Sequence, residues 1–140
     1  MNRNVAATIA ATAVVLAVVI LGFREMGSPG TQRLRQADVK RVQALARIAQ
    51  QVNTMWQQDG KTLPKDLEKV TAADKKDPVS GKAFAYRVKS ESEYELCATF
   101  VIDDRDIARD GDARDSWVHP SGEYCFQMNA GQSVPQAPYY

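Results

Sequence analysis

The sequence predicts an α+β fold in which an N-terminal transmembrane helix leads into a long amphipathic helix packed on a small antiparallel sheet. Three observations carry this. Val5 to Phe23 is an uncharged nineteen-residue apolar run, apolar residues recur at three- and four-residue steps from Val39 to Trp56, and after Gly81 the period changes to two. The roughly 115 residues beyond the run suit one domain.

The run reads VAATIAATAVVLAVVILGF, and at about 1.5 Å per residue it approaches the roughly 30 Å of a bilayer's hydrocarbon core. Only Thr8 and Thr12 are polar within it, and a helical threonine can return its hydroxyl to the backbone one turn earlier. A cleaved secretory signal has a shorter apolar stretch and a small-residue cleavage site. Here the run ends in Gly22-Phe23-Arg24-Glu25-Met26 with no such site, and no acylatable cysteine follows. An uncleaved anchor with residues 5–23 in the lipid bilayer is therefore expected, preceded by a short cytoplasmic segment, 1–4.

Two signals disagree about orientation. Positive charges cluster after the run at Arg24, Arg33, Arg35, Lys40 and Arg41, which by the positive-inside rule keeps the bulk of the chain in the cytoplasm. The two cysteines, Cys97 and Cys125, argue for an oxidising compartment, because disulfides persist there. The cysteines decide the expectation: the bacterial inner membrane, with the C-terminal domain extracytoplasmic, in the periplasm. A net charge of +1 gives no electrostatic case for nucleic acid.

Pro29 and Gly30 should stop or kink the membrane helix, so 24–34 reads as a linker. From about Thr31 to Gln58 the stripe Val39, Val42, Leu45, Ala49, Val52 and Trp56 marks a core-facing helix, flanked by Ile48 and Met55. Arg33, Lys40 and Arg47 lie on a different face, either solvated or against anionic headgroups. Asp59-Gly60 ends the helix, since glycine adopts the left-handed cap most readily. Leu63 and Leu67 point inward from a short turn, and Asp77-Pro78-Val79-Ser80-Gly81 is a tight turn.

Phe84, Tyr86 and Val88 then alternate with polar or small residues, as do Tyr94, Leu96, Ala98, Phe100 and Ile102, and finally Tyr124, Phe126 and Met128. These are three strands of an antiparallel meander. In the last two, the large apolar residues share one parity and the cysteine takes the other. Cys97 and Cys125 thus face away from the helix, side by side, and a disulfide between them is expected. It would close a loop of about 28 residues and stabilise the fold by about 3–4 kcal/mol. Two reduced, buried thiols are the rival arrangement. The proline-containing end, 130–140, reads as a flexible tail.

The ordered set Trp56-Gln-Gln-Asp-Gly60, Leu63-Pro64-Lys65-Asp66-Leu67, Asp77-Pro78-Val79-Ser80-Gly81 and Phe84-Ala85-Tyr86, following a membrane helix and an amphipathic one, resembles the type IV pilin and pseudopilin family. The resemblance covers most of 35–128 and implies a pilin-like extracytoplasmic domain over 35–129, with other envelope or secretion proteins as partners. Prepilins carry Gly-Phe before the apolar run and an acidic residue inside it. Here Gly22-Phe23 follows the run and nothing acidic lies within it. The resemblance thus implies a pilin-like domain on an ordinary anchor.

Enzymatic chemistry is not expected. There is one histidine, His119, beside a proline turn, with no nucleophile elbow, phosphate-cradling loop or zinc-type cluster. No catalytic residue, cofactor or metal ligand is assigned. The segment Asp103 to Asp115 holds six aspartates, the ligand type calcium prefers, but arginines interleave them and no glutamate closes the loop. The expected function is a non-enzymatic structural or interaction module. The alternative is an envelope ligand-binding or sensory domain, with calcium in the aspartate loop.

Overall fold

The computed structural model describes residues 3–25, 29–70, 75–105 and 116–138. Two helices come first, α1 (Arg3–Glu25) and α2 (Pro29–Gln58), and three strands follow, β1 (Ala85–Val88), β2 (Glu93–Phe100) and β3 (Gly122–Asn129). The chain divides into two compact units, Met1–Arg33 and Leu34–Tyr140. The α+β layout with its antiparallel sheet is as expected from the sequence.

The transmembrane segment is not. Among the described residues, no helix is long and apolar enough to cross a membrane, which overturns the span assigned to 5–23. Residues 5–23 form the body of α1, a helix of 23 residues. Every described side chain of α1 is exposed. Thr12 does return its hydroxyl to the Thr8 carbonyl, at 2.9 Å.

Pro29 and Gly30 open α2 rather than closing the helix before it. A proline in the first turn loses nothing, because its missing N–H has no intrahelical partner there. At the other end Asp59 N donates to Met55 O and Lys61 N to Trp56 O, with Gly60 and Lys61 both left-handed. The expected glycine cap is present, extended by one residue.

The strands form one sheet in the order β1-β2-β3, antiparallel throughout. Val42, Leu45, Ile48, Ala49 and Val52 of α2 join Tyr94, Leu96, Ala98, Phe100 and Phe126 of the sheet in a single buried cluster. The valine, leucine, isoleucine and phenylalanine side chains among them contribute about 1.5–3 kcal/mol each on burial. The parity expected from the sequence thus sets the core face. The central strand departs from it, since Tyr94 to Ala98 are buried without a break, Glu95 and Cys97 included.

Of the expected flexible tail, 130–140, the described residues up to 138 are tied to the folded unit by hydrogen bonds. Asn53 Nδ2 donates to Gln132 O, Trp117 Nε1 to Pro135 O and Gln43 Nε2 to Pro138 O, at 2.9, 3.1 and 2.9 Å. Val134 and Ala137 pack on the core. The two helix residues, Gln43 and Asn53, offer amide donors beside the apolar stripe, and the carbonyls of Pro138 and Gln132 accept from them.

Candidate functional site

Cys97 and Cys125 are directly opposed in the β2–β3 register and joined, with a sequence separation of 28. Alternation places both on the sheet face away from α2. The bond closes within a face of otherwise polar character: Glu95 lies opposite Arg87 on one side and Gln127 on the other. Lys89 Nζ sits 2.9 Å from Glu95 Oε1, a largely exposed ammonium on a buried carboxylate. A groove of about 460 Å³ opens beside them, lined among others by Lys89, Glu93, Glu95, Gln127, Asn129 and Gln132. Ligand cavities of this size are mostly apolar; this one is lined mainly by charged and polar side chains, with Tyr94 and Met128 between them.

Among the described residues, one trio of metal-type side chains comes within 4.8 Å, namely Glu95, Cys97 and Cys125. A metal takes thiolates, and these sulfurs are bonded to each other.

A second polar cluster is buried where α2 meets two turns. Arg41 donates through Nη1 to Asp38 Oδ1 at 2.6 Å and through Nε to Asp77 Oδ2 at 2.9 Å. Asp38 also accepts from Val101 N and Ile102 N, the backbone leaving β2, at distances down to 2.8 Å. Asp77 accepts from Val79 N at 2.8 Å and Ser80 Oγ at 2.7 Å, which closes the Asp77–Gly81 turn. Burial pushes the Asp77 carboxyl up, but the bonds from Ser80, Val79 and Arg41 outweigh it and hold the group below the ordinary carboxylate range. Burial likewise opposes the Arg41 charge, and the two aspartates outweigh it, raising its pKa. The trio ties helix, turn and strand exit together. It presents no open face to a ligand, since each carboxylate is engaged by the chain.

Of the aspartate segment, only its start lies among the described residues; 106–115 lie outside them, and with them most of the candidate calcium loop. Asp103 accepts from Arg105, whose side chain holds the exposed carboxyl down at about 2. Asp104 Oδ1 accepts from His119 N at 2.7 Å. His119 is itself buried, its ring stacked on Phe100 with centroids 3.7 Å apart. Its ring Nδ1 lies 3.3 Å from Pro120 O. These groups staple the β2 exit to the start of β3.

The residue pattern did not mark Asp38, Arg41, Gln43 and Asn53 as special. A signal exists for two of them: Asp38 and Arg41 share a helix face with Val42 and Leu45, and a charge pair inside an apolar stripe calls for buried partners. Arg41 instead counts among the charges flanking the apolar run. No family model matches this chain, and no curated protein or solved structure matches it.

Proposed function

We propose that this chain is a non-enzymatic interaction module working at the bacterial inner membrane, its folded unit on the periplasmic side and residues 5–23 in contact with lipid. The observation that carries the reading is the Cys97–Cys125 disulfide, because such bonds persist where the surroundings are oxidising. Support for lipid contact comes from α1, whose exposed Val14, Val15, Leu16, Val18, Val19, Ile20 and Leu21 are interrupted along the chain by Ala17 alone. Apolar surface on this scale marks a partner or a lipid phase. The pilin-like assignment rests on the ordered motifs of 35–128, and other envelope or secretion proteins are the partner class it brings.

The test is recovery from bacterial cells followed by detergent phase separation and thiol alkylation. The protein should enter the detergent phase, with no alkylatable thiol before reduction and both cysteines labelled after it. Free thiols in the native protein would overturn the periplasmic placement. Recovery in the aqueous phase would overturn lipid contact.

A further inference from the structure

The ligand atoms of Glu95, Cys97 and Cys125 lie within 4.8 Å of one another, and the strand pattern explains why. Residues two apart on a strand share a face, so Glu95 stands beside Cys97 on the side away from α2. The β2–β3 register sets Cys125 directly opposite Cys97, with Cα atoms 4.0 Å apart. That register does not depend on the sulfur bond. On the other face Tyr94, Leu96 and Phe126 are buried in the core, and a slip of one residue would turn one strand's set outward. The two cysteines therefore stay neighbours when the bond between them is open.

A disulfide has no proton to donate, so it gives a carboxylate beside it nothing. Glu95 is nevertheless 9% exposed, on the central strand of the sheet, and a buried carboxylate is costly unless a cation meets it. Lys89 meets it from the water side. Opening the disulfide changes the chemistry of the spot, because two thiolates and a carboxylate are donors that zinc accepts. At about 2.3 Å from sulfur and about 2.1 Å from oxygen, a tetrahedral zinc ion holds its ligand atoms about 3.5–3.8 Å apart, near the spacing already present. Three negative charges on a divalent cation leave one, which Lys89 balances. A site with three protein ligands keeps its fourth position for water. Glu95 also lines the groove of about 460 Å³, and Cys125 is partly exposed, so solvent reaches the set.

We infer that Glu95, Cys97 and Cys125 form a redox-gated site for a thiophilic divalent cation, zinc foremost, closed as the disulfide and open as the dithiol. A dithiol donor opens it. One donor thiolate attacks the partly exposed Cys125 sulfur, the sulfur–sulfur bond breaks, and Cys97 leaves as a thiolate that takes up a proton. The donor's second thiolate then attacks the donor sulfur of the mixed disulfide, and Cys125 leaves and takes up a proton in turn. The donor ends as a cyclic disulfide, oxidised by two electrons, and the chain is reduced by two. The cation binds by displacing the two thiol protons, and the bound thiolates no longer pair with each other. This goes beyond the interaction-module reading and stands apart from it, since the ligand set is the same on either side of a membrane.

The experiment takes the full chain in mild detergent, reduces it with a phosphine, removes the reductant without oxygen and titrates with Co²⁺, then Zn²⁺. The reduced chain should bind one cobalt ion per molecule, with thiolate-to-cobalt charge-transfer bands and the visible bands of tetrahedral cobalt, and zinc should bleach them. The oxidised chain should show neither. Glu95→Gln keeps both thiols, and should weaken zinc binding by at least about tenfold, the low end of what losing even a group hydrogen-bonded to a ligand costs. Cys125→Ser should lose saturable binding. If reduction unfolds the chain, as far-ultraviolet circular dichroism reads, stoichiometric zinc should restore the fold, because only the fold brings the ligands together. A folded, reduced chain without cobalt bands overturns the inference, as does an unfolded one that zinc does not restore or one metal ion shared by two chains. Zinc held as tightly by Glu95→Gln as by the unaltered chain overturns it too, by removing the carboxylate from the site. Detergent-phase partition and the thiol status of the native protein judge the proposed function separately.

Discussion

Helices α1 and α2 spend their side chains in opposite ways. In α1, Val14, Val18 and Leu21 are each about 60% or more exposed, while in α2 the charged Asp38 and Arg41 are 3% and 5% exposed. Hydrophobicity sets how much a segment gains from leaving water, but a facing surface decides whether it can. For α2 that surface is the sheet, and its polar groups enter with it because each finds a partner. A charge without one costs several kcal/mol to bury.

The sharpest way to break this contrast is to remove the partner and keep the shape. Arg41→Met leaves Asp38 and Asp77 facing each other without a cation, and should cost about 3–5 kcal/mol. That matches or exceeds Leu96→Ala in the core, at about 2–5 kcal/mol. Denaturant unfolding of the full chain in mild detergent reads both. If Arg41→Met proves neutral, the network is not holding the turns.

Alkali tests the same idea through uncharged groups. Tyr94 is buried and donates to Asn53 Oδ1 at 2.7 Å; Tyr86 donates to Pro64 O at 2.9 Å. Burial, with the nearby Asp66 charge, pushes the Tyr86 phenol up to about 12 from an ordinary 10.0, and burial raises Tyr94 further. Above pH 10 the unfolded chain has released these protons and the folded chain has not. Folding therefore binds protons, and stability falls as pH rises from about 10 towards 12. Phenolate absorbance should show these two tyrosines ionising last, together with the loss of ellipticity. Early ionisation of all five tyrosines in a folded chain would show that the Tyr94–Asn53 contact is open.

The smallest effects belong to exposed positions. Val14→Ser in α1 and Arg87→Ala on β1 should each stay within about 0.5 kcal/mol. Glu95→Ala, directly opposite Arg87 in the register but buried beside Lys89, should cost about 1–3 kcal/mol. The sheet face bearing the disulfide is therefore not simply a water face: alternation puts Glu95 there, and its strand's central position buries it. A Glu95→Ala as mild as Arg87→Ala would return that face to solvent.

By itself the sequence determined what short-range physics encodes. Period 3.6 from Val39 to Trp56 implied α2 and its inward stripe, and period two implied the strands and their inward parity. The same parity placed Cys97 beside Cys125, since a single register satisfies both apolar faces. Tertiary structure alone decided which distant groups answer each other. Arg41 reaches Asp77 across 36 residues, and Gln43 reaches Pro138 across 95. Nothing in local spacing names such a partner. Periodicity states which side of an element leaves water, whereas a buried charge or an amide donor is satisfied only by whatever the completed fold brings within about 3 Å of it.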